Sequence, residues 1–209
     1  MINFIQGLSF FFILFQTFNI SEKLLKKNEF LTLIDLSERK LYVINWKKNI
    51  LFQAPCGIGR GNKNSNPKKK SDFDRITPQG LFQITHIFKL GDEELKKLND
   101  IFWPDLYNTG EPIGKNAYGD GFVAFDWTNP LDREKPKKTN ISRGQFRRGK
   151  EKNYSLFSLG IHGTNRDDWV GIPSTGGCIR LKNSDIRIYI KKFAKINGLI
   201  YIKDKFEKN

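Results

Sequence analysis

One cysteine lies in a stretch whose residue types suit a nucleophile. Cys178 follows the pair Gly176 and Gly177 and stands two positions before Arg180. Glycines let the backbone approach a substrate carbonyl closely, and their amides, with that of Cys178 itself, suit a developing oxyanion. A thiol becomes a nucleophile when it is reachable and a base takes its proton. The stretch therefore predicts covalent acyl chemistry at Cys178.

The chain offers only two histidines as a base for this thiol. The run LFSLGIHG predicts a strand that ends at His162, sixteen positions before Cys178. The end of a strand that faces a nucleophile-bearing loop is a suitable place for a general base. His86 lies within a Phe- and Ile-rich run and is interpreted as structural. The sequence therefore predicts His162 as the base.

Three neighbours of Cys178 are candidates for substrate binding. The Arg180 guanidinium can hold a carboxylate through two parallel hydrogen bonds, and the alternative is a structural ion pair with Asp185 or another acid. Ser174 and Thr175 either hold the loop, bind substrate or are simple turn residues. No CxxC and no paired His/Cys spacing occurs, so no metal and no cofactor is predicted.

The runs between these residues predict a mainly β domain with few helices. FLTLIDLS, KLYVINW and NILFQAPCGIG predict a three-stranded meander, and RITPQGLFQITHIF, FVAFDW, LFSLGIHG and LIYIKD predict further strands. DEELKKLND predicts a short helix. KNSDIRIYIKKFAKING predicts a second helix, with Ser184 or Asn183 as its cap and Gly198 beyond its end.

A long stretch of about 89–153 is predicted to be an irregular, lid-like excursion from this domain. Four of its aromatic residues could stack on a substrate or be buried in a lineage-specific decoration: Trp103, Tyr107, Tyr118 and Trp127. Its second part, 130–153, is strongly basic. The whole chain has a formal charge of +14, which favours an anionic partner but equally follows from a Lys- and Asn-rich composition. No nucleic-acid-binding motif is present.

The first twenty residues carry no charged side chain, and their apolar centre is Leu8 to Phe15. This centre is too short for a membrane span of about 20 residues and resembles the apolar region of an export signal. No Lys or Arg precedes it and no clear small-x-small cleavage site follows it, so the alternatives are an uncleaved anchor and a mispredicted hydrophobic start. Cys56 and Cys178 could pair in an exported protein, although Cys56 as a bystander thiol is preferred.

The stretch IHGTNRDDWVGIPSTGGCIRL resembles the active-site signature of the L,D-transpeptidase catalytic (YkuD-type) family. The matching positions are His162, Gly163, Gly171, Thr175, Gly176, Gly177, Cys178, Ile179 and Arg180. Many family members have histidine where this chain has Gly176. LIDLSERKLYVI, ITPQGLFQI and KNSDIRIYIKKFAKINGLIYI resemble other family segments, so the resemblance covers roughly 30–204.

The resemblance implies a β-sandwich or barrel and a cysteine enzyme that acts on peptidoglycan stem peptides. Cys178 would attack the carbonyl before the terminal D-Ala, and His162 would act as the base, oriented by the carbonyl of Gly163. The amides of Gly177 and Cys178 would bind the oxyanion, and Thr175 would support the loop. Arg180, Ser174 and Gly176 would contact substrate.

The resulting prediction is an L,D-transpeptidase that forms 3–3 cross-links or wall attachments, including attachment of a lipoprotein. The alternatives are a carboxypeptidase or other hydrolase on the same fold, and a non-catalytic wall-binding module. We expect an exported protein of the periplasm or cell envelope, which contacts a membrane only through its N-terminal segment. The expected domains are 1–20 (signal or anchor), 21–29 (linker), 30–204 (catalytic, with the insertion) and 205–209 (tail).

Overall fold

The computed structural model describes residue 25 and residues 29–64, 75–105, 112–128 and 159–207, and these residues form a mainly β domain. Its strands are β1 Phe30–Asp35, β2 Lys40–Asn45, β3 Ile50–Pro55, β4 Ile58–Gly59, β5 Gly80–Lys89, β6 Gly121–Trp127, β7 Gly160–His162, β8 Pro173–Thr175, β9 Ile179–Arg180 and β10 Leu199–Lys203. Its helices are α1 Glu93–Asp100 and α2 Asn183–Lys192. The predicted mainly β class with few helices is confirmed.

Eight of these strands form one sheet in the order β3-β2-β1-β10-β5-β6-β7-β9. The predicted meander is confirmed, because β1 pairs antiparallel with β2 and β2 with β3. The closing strand β10 lies between β1 and β5. At the other end, β7 pairs antiparallel with β6 and parallel with β9. This arrangement brings the two segments that carry His162 and Cys178 to one end of the sheet.

The first two strands are apolar on both faces, which explains why their sequences read as nearly continuous hydrophobic runs. One face packs in a small cluster that includes Leu31, Leu33 and Leu25. The opposite face carries Ile34 and Val43 into the main core, which continues through β5, β6, β7 and β9. This core holds the strand ends that carry the site in place.

Helix α2 packs on the main core through Ile186 and Tyr189, both fully buried. The Tyr189 hydroxyl lies 2.9 Å from Thr32 Oγ1, which ties the helix to β1. The predicted cap was wrong. The helix begins at Asn183 and the preceding Lys182 makes no side-chain capping bond. The Asn183 side chain bonds instead to two backbone amides outside the helix, Asp120 and Thr164.

The predicted excursion over 89–153 is not one insertion. Strand β6 lies inside that range and is integral to the sheet, because it pairs with both β5 and β7. Helix α1 packs against β6 through Leu95. Residues 1–24, with the predicted signal or anchor, and 130–153, with the predicted basic loop, lie outside the described residues. Among the described residues, no helix is long and apolar enough to cross a membrane.

Candidate active site

The parallel pairing of β7 and β9 brings the two chemically central residues together. Ile161 pairs with Ile179 and His162 with Arg180. Cys178 comes directly before β9, two positions ahead of the register partner of His162. Side chains two positions apart on an extended chain share a face, so an extended chain from Cys178 to Arg180 would place the thiol on the same side of the sheet as the imidazole. The thiol is unbridged and partly accessible, whereas His162 is only 3% exposed.

The proton arrangement of His162 follows from its hydrogen bond. Its Nδ1 lies 2.5 Å from the carbonyl oxygen of Gly163. A carbonyl only accepts, so the neutral ring carries its proton on Nδ1 and leaves Nε2 as a proton acceptor. Burial, reinforced by the nearby Arg180 charge, lowers the pKa of His162 to about 3, while the bond to Gly163 opposes this shift. The imidazole is therefore neutral at physiological pH.

Aromatic rings fix the orientation of the imidazole. Phe122 on β6, the register partner of His162, stacks on it at 6.0 Å between ring centroids. Tyr118 contacts the imidazole edge-on at 5.1 Å and also packs on Phe122. The Phe122 ring occupies the space above Gly160, where an added Cβ would lie 2.4 Å from it. These contacts hold the ring in one position and exclude water from it.

Arg180 is buried beside the imidazole, at 3% exposure. Its guanidinium carbon lies 4.9 Å from the centre of the Trp169 ring, and that of Arg166 lies 4.6 Å from the same ring. The backbone of Arg180 exchanges two hydrogen bonds with Gly57, at 2.8 and 2.9 Å. An added Cβ on Gly57 would meet the Trp169 carbonyl oxygen at 2.7 Å, so this close approach requires glycine.

Two threonines hold the peptide groups on either side of Cys178. Thr175 Oγ1 donates to the Cys178 carbonyl at 2.6 Å. Thr77 Oγ1 donates to the Gly177 carbonyl at 2.9 Å and accepts the Gly59 amide at 2.8 Å. The loop-holding alternative for Thr175 is thus the arrangement in this structure. The loop that carries Cys178 is thus fixed by side-chain hydrogen bonds to the peptide groups before and after this residue.

Two of the predicted site groups make hydrogen bonds within the protein in this structure. The Gly177 amide, which is predicted to bind an oxyanion, donates to Thr175 Oγ1 at 3.1 Å. The Ser174 hydroxyl, expected to contact substrate, is 1% exposed and donates to the Trp169 carbonyl at 2.7 Å. Both groups are already used inside the protein to shape the loop. Gly176, by contrast, is exposed next to the thiol.

The second cysteine belongs to the core rather than to the site. Cys56 is fully buried in the main hydrophobic cluster, and its burial raises the pKa of its thiol, reinforced by Asp35. Both thiols are unbridged. It is the next residue, Gly57, that pairs with β9, opposite Arg180. This placement favours the bystander interpretation of Cys56.

The predicted aromatic residues have different positions. Tyr118 lies against His162, and Trp103 contacts Tyr118 edge-on at 6.3 Å. Trp127 instead packs on Phe82, whose ring centroid is 5.0 Å away. Tyr107 lies outside the described residues. Within the described part of the chain, no group of three or more His, Cys, Asp or Glu residues is placed to hold a metal.

Sequence reasoning missed several residues that build the site. The sequence predicts Phe122 only as a strand residue and Asn183 only as a helix cap. It indicates no role for Trp169 or for Thr77. For Phe122, the alternation along FVAFDW was an available signal. The other contacts link segments that are remote in sequence, and no local pattern indicates them.

Comparison with known proteins is consistent with this geometry. The family model of the L,D-transpeptidase catalytic domain (YkuD) matches residues 30–195. The structure of Bd1075 from Bdellovibrio bacteriovorus is similar at 14% identity and a TM-score of 0.51, over 93% of this chain and 53% of that one. No curated protein sequence matches the chain.

Two further solved structures are similar. An L,D-transpeptidase from Mycobacterium smegmatis has 14% identity and a TM-score of 0.45, over 84% of this chain and 59% of that one. The catalytic domain of the Enterococcus faecium L,D-transpeptidase has 13% identity and a TM-score of 0.45, over 84% of this chain and 98% of that one. This chain thus spans 53% and 59% of the lengths of Bd1075 and the M. smegmatis protein.

The mainly β fold places His162, at the end of β7, on the strand that pairs with β9, which Cys178 directly precedes, and this end of the sheet is the candidate active site. Because the family model spans most of the chain, the protein belongs to the L,D-transpeptidase catalytic domain (YkuD) family.

Proposed function

We propose that this protein is a cysteine-dependent L,D-transpeptidase that acts on peptidoglycan stem peptides. The observation that carries the proposal is the placement of His162. Its imidazole is neutral, its Nδ1 is held by the Gly163 carbonyl, and its strand adjoins the segment that presents Cys178. A base in that state can take a proton through Nε2 at neutral pH.

The first half of the reaction forms a thioester. The Cys178 sulfur attacks the carbonyl carbon between the third stem residue and the terminal D-Ala, while its proton passes to His162 Nε2. Because the imidazole resists protonation, proton transfer accompanies attack, and no thiolate–imidazolium pair need exist beforehand. The imidazolium then protonates the departing amine, and D-Ala leaves.

The Cys178 amide is the proposed donor to the oxyanion. Thr77 holds the Gly177 carbonyl, which belongs to the same peptide group as the Cys178 N–H. In a trans peptide these two groups point in opposite directions. The bond to Thr77 therefore directs the Cys178 N–H away from the Thr77 side of the loop. A preoriented donor of this kind stabilises charge that develops in the transition state.

The second half of the reaction transfers the acyl group. His162 takes a proton from the amine of a second stem peptide, the amine attacks the thioester carbonyl, and the Cys178 thiolate leaves and is reprotonated. The product is a 3–3 cross-link, or a wall attachment when the amine belongs to a lipoprotein. Water in place of the amine gives a shortened stem, which is the carboxypeptidase alternative. This substrate lies outside the cytoplasm, so we propose an exported protein of the cell envelope.

Arg180 is predicted to contact substrate, but its burial limits that contact. At 3% exposure its guanidinium has little surface to offer a carboxylate in this structure. Its position next to His162 supports an electrostatic role, because a positive charge there disfavours protonation of the imidazole. Binding of a stem-peptide carboxylate by Arg180 would require the rings around it to move.

Incubation with defined muropeptides, followed by mass spectrometry, tests the proposal. We expect 3–3 linked dimers and released D-Ala from the wild-type protein, and neither from Cys178→Ala. Cys56→Ala is the matched control and is expected to give the wild-type products. Shortened monomers alone would show the hydrolase, and unchanged muropeptides with the wild-type protein would overturn the enzyme interpretation in favour of a wall-binding module.

A further inference from the structure

Asn183, the first residue of α2, joins two loops next to the candidate base. Its side-chain oxygen accepts the backbone amide of Thr164 at 3.0 Å and that of Asp120 at 3.1 Å. The surrounding space is closed. An added Cβ on Gly163 would lie 2.4 Å from this oxygen, and one on Gly119 would lie closer still. The two amides and the close backbone of Gly119 and Gly163 therefore hold the Asn183 side-chain oxygen in one position.

One of the two bonds acts on the peptide group that orients His162. The Gly163 carbonyl and the Thr164 amide belong to a single peptide unit, whose oxygen contacts His162 Nδ1. The two ends of a planar trans peptide point in opposite directions. Asn183 therefore holds one end of the plane while the imidazole is bound at the other. Rotation of this plane would break both hydrogen bonds at once.

We propose that Asn183 is a positioning residue for His162, which acts through the Gly163–Thr164 peptide group. By holding that peptide, it keeps the Gly163 carbonyl on Nδ1, and so keeps Nε2 unprotonated and able to accept a proton. The inference rests on the proposed role of His162 as the base. It deepens that role by naming the group that selects the tautomer.

This role requires a side-chain oxygen at position 183. Substitutions of Asn183 can separate that requirement from simple packing. Aspartate at 183 would present an oxygen at the same distance from the backbone and could accept the same two amides. Alanine would remove the acceptor and leave both amides to find other partners. Serine would keep a small polar residue in the first turn of the helix but would withdraw the oxygen from that position.

The experiment reads the tautomer directly. The protein is labelled with 15N-histidine, and the two histidines give two sets of ring signals, with the exposed His86 as an internal reference. In the wild-type protein we expect the Nδ1–H tautomer of His162, with a slowly exchanging Nδ1 proton. Asn183→Ala is expected to mix the tautomers and lose that proton signal. Asn183→Asp is expected to retain both features.

The same variants are compared for acylation of Cys178 by a carbapenem, followed as covalent mass. We expect a loss on the order of ten- to a hundredfold for Asn183→Ala, because an imidazole that is not oriented loses much of its value as a base, and recovery with Asn183→Asp. Asn165→Ala is the matched control. Asn165 also ties loops through two bonds, to the carbonyls of Ile113 and Lys115, and is expected to keep the His162 tautomer.

An unchanged His162 tautomer in Asn183→Ala would overturn the proposal, as would an equal change in Asn165→Ala. If Asn183→Ala does not fold, Asn183→Ser serves in its place, with the same expectation and the same overturning result. The tautomer is read without substrate. A wild-type protein that lacks acylation would thus contradict the proposed function while the role of Asn183 was still decided by the spectrum.

Discussion

His162 and Arg180 are register partners on parallel strands, and both are 3% exposed. A guanidinium is permanently charged, so this pairing places a fixed positive charge beside a titratable ring within the protein interior. Together with burial, it keeps the imidazole in the neutral form over the whole physiological range. The pair therefore sets the pH range in which His162, the proposed base, is able to accept a proton.

The first prediction concerns the acid limb of acylation. Because the pKa of His162 lies at about 3, the base remains deprotonated well below pH 6. We expect the rate of carbapenem acylation to hold steady from pH 7 to about pH 5, where an ordinary histidine would already be mostly protonated. A rate that halves near pH 6.5 would contradict the buried, neutral state of His162.

Substitution of Arg180 tests the electrostatic part of that state. Arg180→Met keeps an apolar stem against Trp169 and removes the charge, so the pKa of His162 is expected to rise. NMR titration of the imidazole against pH measures this directly in both proteins. Arg166→Met is the control. Arg166 lies against the same Trp169 ring as Arg180, but its charge is not among the causes of the lowered pKa of His162. Equal titration curves for wild type and Arg180→Met would refute the assignment.

The buried imidazole also predicts how stability depends on pH. Between about pH 3 and 6.5 the unfolded chain protonates this histidine while the folded protein does not, so the free energy of unfolding falls as the pH drops. The slope from this residue is about 1.4 kcal/mol per pH unit. Urea unfolding at pH 6.5 and 5.0 should show about 2 kcal/mol more loss in the wild type than in His162→Gln. A parallel loss in the two proteins would be the contrary result.

Part of the site can be predicted from the sequence because its central residues lie close together along the chain. His162 and Cys178 are carried by short segments whose glycines and apolar runs mark a strand end and a loop. The meander, β5, β6, both helices and β10 were also readable, from alternation and turn residues. What the sequence could not show is set by tertiary pairing. Ser174 and Gly177 look available in a glycine-rich loop, and only the fold reveals that Trp169 and Thr175 already occupy their polar groups.

The same reason explains why the predicted excursion includes a strand that belongs to the main sheet. The run FVAFDW predicts the strand itself, but the place of β6 between β5 and β7 follows only from pairing with them. Its residue Phe122 is the ring on which His162 stacks. A strand within the predicted excursion thus supplies a ring that packs on His162.

The two threonines beside Cys178 give the next prediction. Thr77→Val and Thr175→Val each leave buried polar groups without a hydroxyl partner, at a cost of about 1–3 kcal/mol in stability. Each also frees a peptide group next to the thiol, so we expect acylation to slow by roughly tenfold or more. Thr85→Val is the control, because its hydroxyl makes one 3.3 Å bond to the Ala124 carbonyl, away from the loop. Acylation that slows equally in all three variants would show a general effect of instability.

Gly57 gives the last prediction, because it lies where three parts of the site meet. In Gly57→Ala the new Cβ would approach the Trp169 carbonyl oxygen at 2.7 Å and Ser174 Oγ at 2.9 Å, so the strand that faces Arg180 must shift. Overpacking of this kind costs about 1–3 kcal/mol. We expect a lower melting temperature and slower acylation together, since the shift is passed to the nucleophile strand through the two Gly57–Arg180 hydrogen bonds. Gly91→Ala is the comparison, because nothing lies within 4 Å of its added Cβ and only its φ of +100° is strained. It should lower the melting temperature and leave acylation unchanged, and a Gly57→Ala protein that behaves in the same way would show that the contact with Arg180 does not position the site.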